Sequence, residues 1–292
     1  MALVACCCLA VIGIMALMRP AGATAGVLNA ALAPRAPAPS QLPVAGIDAG
    51  ACISYPAAGA PTGKTIFIDA GHGGLDPGVV GSSGGKQVLE KDVTLAVATR
   101  LGALLRADGY AVVMARTQDS SVTRLAASDS ITGALTDSAE HRDLVTRAAC
   151  ANAGNASVLV SIHFDGFSDT TVGGTETFYD AARPFAATSK RLAADLQAAL
   201  VAGLGTSDRG VWTDDQLAAP ALTSSGDSYG HLIELGPASA GWVDDPSQMP
   251  GALVEPLFIT NPTEAQIASD PAGQERIAQA MEAALIKFFN GA

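Results

Sequence analysis

Positive charge is scarce in this sequence. Seventeen Lys and Arg stand against 28 Asp and Glu in 292 residues, a formal net charge of −11, and the basic residues form no cluster. Nucleic-acid binding relies on a Lys/Arg face that neutralises phosphates, so that class of partner is excluded. Charged residues of both signs reach only 15%, while 49% of the chain is apolar. That balance excludes disorder over most of the length and supports a real core. The length suffices for one large domain or two small ones. No internal repeat recurs, and no HExxH helix is present. Long apolar runs are also wanting: the longest, Ala2 to Met18, is shorter than the roughly 20 residues of a membrane-spanning helix.

Cysteine is sparse and unevenly placed. Cys6, Cys7 and Cys8 lie in that apolar run, which is followed by a small-x-small site at Ala23-Thr24-Ala25. The segment reads as a secretory signal peptide over residues 1–25, although the usual positive start is missing. A retained membrane anchor is the alternative. Leu3-Val4-Ala5-Cys6 has the look of a lipobox, but the apolar stretch follows it instead of preceding it. After cleavage no stable membrane span is expected, and the product is expected in the periplasm or cell wall. Cys52 and Cys150 then remain as an even pair in an exported chain, for which a disulfide is the default expectation and two free thiols the alternative.

Residues 26–50 are rich in Ala and Pro, as in Ala33-Pro34-Arg35-Ala36-Pro37-Ala38-Pro39, and read as an extended linker. A catalytic domain is expected over residues 51–292. Apolar runs predict strands at Thr65–Asp69, Tyr110–Ala115, Ser157–Ile162 and Thr175–Tyr179, with short candidates at His231–Leu235 and Ala252–Glu255. Helical spacing predicts helices over 91–107, 139–153, 184–204 and within 263–289. Alternating strands and helices imply a single three-layer α/β domain with a mostly parallel twisted sheet flanked by helices. Ser120–Ser138 and Gly205–Asp227, rich in Ser, Asp and Gly or Thr, read as long loops.

Three residues stand where open α/β sheets place their sites, beyond the carboxyl ends of strands. His72 follows the first core strand in Asp69-Ala70-Gly71-His72-Gly73-Gly74; a phosphate-type glycine loop is its alternative. Glu90 opens the next helix, where a carboxylate stabilising a helix N-terminus is the simpler role. His163 follows the apolar strand ending at Ile162 and is either a structural histidine or a ligand. Together, two imidazoles and one carboxylate match a catalytic zinc set, which uses three protein ligands and leaves a fourth position open.

These motifs resemble the zinc-dependent N-acetylmuramoyl-L-alanine amidases, the Amidase_3 family. The matching pieces are Ile68 to Gly74, Glu90-Lys91-Asp92-Val93-Thr94-Leu95, Arg116-Thr117, Ser161-Ile162-His163, Gly174 to Tyr179, and Leu253-Val254-Glu255 through Asn261-Pro262. The resemblance runs from about Lys64 to Phe289. It implies that His72, Glu90 and His163 bind Zn²⁺ and that Glu255 is the catalytic carboxylate. It also implies peptidoglycan or a muropeptide as substrate, cut between N-acetylmuramic acid and L-alanine; a regulatory partner stays unidentified. Glu234, in Leu232-Ile233-Glu234-Leu235-Gly236, competes with Glu255, but only Glu255 is followed by Phe258-Ile259-Thr260-Asn261-Pro262. His141 and His231 receive no role. The chain departs from the family pattern at Asp165, where Asn is common, at Leu257, where Gly often follows the catalytic Glu, and in a longer stretch between Arg116 and Arg142. Two other readings share the fold or the metal: a non-catalytic wall-binding protein, and a zinc peptidase acting within the stem peptide.

Overall fold

The computed structural model describes residues 38–216 and 228–291. The N-terminal apolar segment and the lead-in through Pro37 lie outside them. In chain order the strands are β1 (Ser40–Gln41), β2 (Ala51–Tyr55), β3 (Thr65–Ala70), β4 (Val80–Ser83), β5 (Lys86–Leu89), β6 (Ala111–Arg116), β7 (Ser130–Ile131), β8 (Ala134–Leu135), β9 (Val158–Ile162), β10 (Thr175–Tyr179), β11 (Asp208–Thr213) and β12 (Gly251–Glu255). The helices are α1 (Glu90–Ala107), α2 (Asp137–Ala153), α3 (Ala186–Leu204), α4 (Pro262–Ser269) and α5 (Pro271–Asn290).

Eight strands form one mixed sheet in the order β1-β2-β6-β3-β9-β12-β10-β11. Its centre, β6-β3-β9-β12, is parallel. Strands β2 and β10 run antiparallel to their inner neighbours. Side chains alternate between faces along each strand. Ile66, Ile68, Val112, Val160 and Val254 join the core beneath α1, α3 and α5. Phe67, Val113, Leu159 and Leu253 enter the opposite core, which Cys150 and Ala151 of α2 help to fill. Helix α5 supplies Ile277, Met281, Leu285 and Phe288 to the first core at helical spacing. Asp270 caps its start through Gly273 N–H, and Gly291 turns its end with φ 72°.

A disulfide joins Cys52 of β2 to Cys150 of α2, with Cα atoms 5.4 Å apart and a sequence separation of 98. In the chain-entropy picture, closing a loop of that length stabilises by on the order of 4 kcal/mol. Upstream of it, Ser40 and Gln41 pair with Ser54 and Ile53, and Ile47 is buried. Ordered packing therefore begins before residue 51, within the stretch whose composition reads as linker.

Two other expectations change. His231–Leu235 forms turns, not a strand: Gly236 N–H bonds back to Leu232 C=O at 2.7 Å. Both places beside β10 are taken, by β12 and β11, and Gly230 and Pro237 bound the run. The two predicted loops also hold strands. Residues 120–138 contain the β7–β8 ribbon, and 205–216 contain β11, parallel to β10; residues 217–227 lie outside the described part.

Candidate metal and catalytic centre

Sheet register brings the candidate residues together. Ala70 of β3 pairs with Ile162 of β9, so His72 and His163 leave the sheet side by side. Val254 of β12 pairs with the same Ile162, which brings Glu255 to that edge. Glu90 is the first residue of α1 and points back to it. His72 Nε2 lies 3.0 Å from Glu90 Oε1 and 3.1 Å from His163 Nδ1, and His163 Nδ1 lies 3.0 Å from Glu90 Oε1. Three ligand atoms thus form a nearly equilateral triangle. Its edges are close to the ~3.4 Å of a tetrahedral set with ~2.1 Å bonds.

Two of the three candidate ligands, His72 and Glu90, are held from behind. His72 Nδ1 donates to Asp76 Oδ2 at 2.7 Å, which leaves Nε2 free to offer its lone pair. Glu90 accepts Phe164 N–H on Oε1 at 2.9 Å and Val79 N–H on Oε2 at 2.7 Å. Two buried arginines brace the loop that carries His72. Arg116 donates to Ala70, Gly71 and Lys91 carbonyls at 2.8, 3.0 and 2.8 Å. Arg147 donates to Ala70 and His72 carbonyls at 2.9 and 2.8 Å, and is paired with Asp69 at 2.6 Å and Asp143 at 2.9 Å.

Close approach explains two of the glycines. A Cβ on Gly71 would sit 2.4 Å from the His163 ring, and one on Gly78 would sit 2.5 Å from Glu90 Oε2. His72 itself adopts φ 62°, a left-handed backbone that costs a non-glycine residue about 1–3 kcal/mol and is kept where function over-determines it.

The electrostatics favour a cation. Burial alone would lower the pKa of His72, yet hydrogen bonds and charge from Asp76 and Glu90 push it up to about 10. Burial alone would raise Glu90, but His163 and His72 hold it well below the ordinary carboxylate range. A pocket that draws protons onto an imidazole would also stabilise a metal cation in their place. The donor set, the triangle and this field all fit a divalent ion of the zinc type.

Glu255 is half-buried beside this triangle, and its Oε2 accepts no hydrogen bond among the described residues. Burial raises its pKa well above the usual value, and repulsion from Glu90, Asp165 and Glu176 adds to the shift. Glu176 is its cross-strand partner. Asp165 is pushed up to about 7 by burial and a carboxyl–carboxylate hydrogen bond with Glu176. Glu234 borders the same cavity of about 550 Å³, which His72, Glu90, His163, Arg147 and Glu255 also line. It sits in the turn after Leu232, near Asp69 and Ser161, with Ser161 Oγ 3.3 Å from its Oε2. His141 contacts the Trp242 carbonyl at 2.6 Å, away from the triangle.

Sequence reasoning passed over Asp76, Arg147 and Glu176. Asp76 carries a signal in hindsight, lying four residues after His72 in a Gly-rich loop. Arg147 and Glu176 reach the site only through tertiary contacts.

Such a sheet edge, with a candidate metal-binding triangle and a raised carboxyl facing one cavity, defines an α/β domain with a candidate metal centre. Residues 66–287 match the family described as N-acetylmuramoyl-L-alanine amidase, Amidase_3, and the chain belongs to that family. Its members hydrolyse the amide between N-acetylmuramic acid and L-alanine in peptidoglycan, and this chain is an enzyme of that class. The chain is 32% identical over 227 residues to the N-acetylmuramoyl-L-alanine amidase LytC of Bacillus subtilis, covering 78% of this chain but only 36% of LytC. It is 32% identical to YqiI of the same organism, an uncharacterized protein, covering 75% of this chain and 82% of YqiI. Among solved structures, the CwlD amidase of Clostridioides difficile, in complex with the GerS lipoprotein, superposes with a TM-score of 0.62 at 27% identity. That match covers 78% of this chain and all of CwlD.

Proposed function

We propose that the chain cleaves the N-acetylmuramoyl–L-alanine amide with a zinc ion held by His72, Glu90 and His163, and with Glu255 as its proton carrier. The observation that supports this most is the convergence of the three ligand atoms within 3.1 Å of one another next to a carboxyl oxygen without a partner. Zinc bound there supplies Lewis acidity, which polarises the amide carbonyl and makes water a nucleophile near neutral pH.

The remaining work falls to the chain's own groups. Asp76 keeps the Nδ1 proton of His72 and so orients the ring. Phe164 and Val79 amides fix both oxygens of Glu90. Glu255 accepts the proton of the attacking water at Oε2 and delivers it to the departing L-alanine nitrogen. Its raised pKa makes it a stronger base than an ordinary glutamate, as that transfer requires. Burial sustains that raised value, and repulsion from Glu90, Asp165 and Glu176 adds to it.

Peptidoglycan lies outside the cytoplasm, and the Cys52–Cys150 disulfide suits an oxidising compartment. The chain therefore acts in the periplasm or cell wall, with residues 1–25 as its export signal. Among the described residues no helix is long and apolar enough to cross a membrane. CwlD is seen with a lipoprotein; no face of this chain is assigned to such a partner.

The test is digestion of purified peptidoglycan with the zinc-loaded protein, followed by mass spectrometry of the fragments. Intact stem peptides with a free L-alanine amine are expected, and removal of zinc by a chelator should abolish their release. Shortened stem peptides would mark a peptidase, and undiminished hydrolysis by verified metal-free protein would refute the zinc mechanism.

A further inference from the structure

We propose that Asp180, Asp214 and His231 form a second divalent-cation site, at the end of β10 opposite the catalytic edge. Its origin is topological. Strands β10 and β11 run parallel, with Tyr179 paired to Thr213. The next residue of each is an aspartate, so Asp180 and Asp214 leave the sheet as neighbours. Because β10 is antiparallel to β12, with Glu176 opposite Glu255, its far end points away from the catalytic cavity. Four residues of strand, roughly 13 Å, separate Glu176 from Asp180.

Both aspartates are 1% exposed, and each carboxylate has one oxygen engaged and one left over. Asp180 Oδ1 accepts Ala182 N–H at 2.7 Å, and Asp214 Oδ2 accepts Leu232 N–H at 2.9 Å. The leftover oxygens converge on one atom: His231 Nδ1 is 2.9 Å from Asp180 Oδ2 and 3.3 Å from Asp214 Oδ1. One nitrogen carries at most one proton, and its alignment serves Asp214. Asp180 Oδ2 accepts no hydrogen bond among the described residues despite its burial. A buried carboxylate oxygen without a donor costs stability unless a cation satisfies it.

The nearest fixed positive charge, Arg183, does not fill that need. Its guanidinium donates to the carbonyls of Gly236 and Ser247, although it lies close enough to feel Asp180. Among the described residues His231 is the only basic side chain within 4 Å of either carboxylate, so the pair is short of positive charge. Two carboxylate oxygens and an imidazole nitrogen suit Zn²⁺ or Mn²⁺ better than Ca²⁺ or Mg²⁺, which take oxygen ligands. The His231 side chain is 26% exposed, which opens the site to solvent ions. An ion there would fasten the ends of β10 and β11 to the segment that carries Leu232 and Glu234.

The experiment measures zinc per chain. Protein is equilibrated with Zn²⁺, freed of unbound metal, and assayed by inductively coupled plasma mass spectrometry. Wild type should hold two equivalents, and H231A, D180N and H72A one each. H231A should keep wild-type turnover at saturating zinc within about threefold. In H72A, where only the second site remains, zinc should raise the thermal midpoint, and H72A/H231A should lose that rise. Zinc content equal to wild type in both H231A and D180N overturns the site, as does an H72A chain that holds no zinc and shows no midpoint shift. One equivalent in wild type, kept by H72A but lost by H231A, supports this site and instead removes the catalytic-zinc reading. A misfolded D180N leaves the decision to H231A, whose ring is partly exposed and packs less tightly.

Discussion

Glu234 and Glu255 end similar phrases, Leu232-Ile233-Glu234 and Leu253-Val254-Glu255, and both border one cavity. Each has a carboxyl oxygen without a hydrogen bond among the described residues, and burial raises the pKa of both. Their surroundings differ. Glu255 ends a strand in register with β9 and is crowded by Asp165, Glu176 and Glu90, the last a corner of the candidate metal triangle. Glu234 sits in a turn, and its neighbours are Asp69, Ser161 and Arg147, a buried cluster that anchors the sheet side of the His72 loop. Local sequence is alike, but Glu234 is buried and Glu255 only half-buried, and their backbone placements differ; the proposed division, proton transfer for Glu255 and structure for Glu234, rests on that difference.

The comparison can be broken most sharply at Glu255. Glu255→Gln keeps the shape but cannot accept the proton, so kcat should fall by about 10²–10⁴-fold while zinc content stays unchanged. Wild-type turnover in that variant would remove Glu255 from the reaction.

Arg147 is the next lever, because it separates the two environments. Arg147→Met leaves Asp69 and Asp143 buried without their partner and should cost about 3–5 kcal/mol in urea unfolding. A loss below 1 kcal/mol would show that the cluster does not hold the loop.

The smallest effect is expected at Glu234. Glu234→Gln should keep turnover within about threefold. Its stability effect should depend on pH with a definite sign. A carboxyl whose folded pKa is raised contributes stability at low pH and loses it as pH rises beyond the unfolded value of about 4.5. The glutamine variant lacks that loss. It should match wild type near pH 4 and exceed it by about 1–3 kcal/mol at pH 8, the scale of one buried unsatisfied polar group. A turnover loss as large as that of Glu255→Gln would make the two carboxyls equivalent and end the distinction.

Much of this was legible in the sequence because the strands of a parallel sheet centre are short apolar runs with nothing else to be. Thr65–Asp69 and Ser157–Ile162 predicted β3 and β9 to within a residue or two. Glycines beside His72 and the apolar lead-in to His163 marked the ends where the candidate ligands sit. His231–Leu235 misled for the same reason: its composition suits a strand, but whether a run pairs depends on where the rest of the sheet places it, not on composition alone. β11 was hidden because Asp208–Thr213 is largely polar and exposed, lacking the apolar signal of a buried strand. Arg147 and Glu176 were out of reach because their contacts with Asp69 and Glu255 span 78 and 79 positions, which periodicity does not encode.

The central claim is that His72 Nε2, Glu90 Oε1 and His163 Nδ1 bind one zinc ion. The most direct measurement is anomalous diffraction at the zinc edge from crystals of the zinc-loaded protein. A peak roughly 2.0–2.2 Å from all three atoms is the predicted result. Full zinc loading with no peak between them would contradict the account.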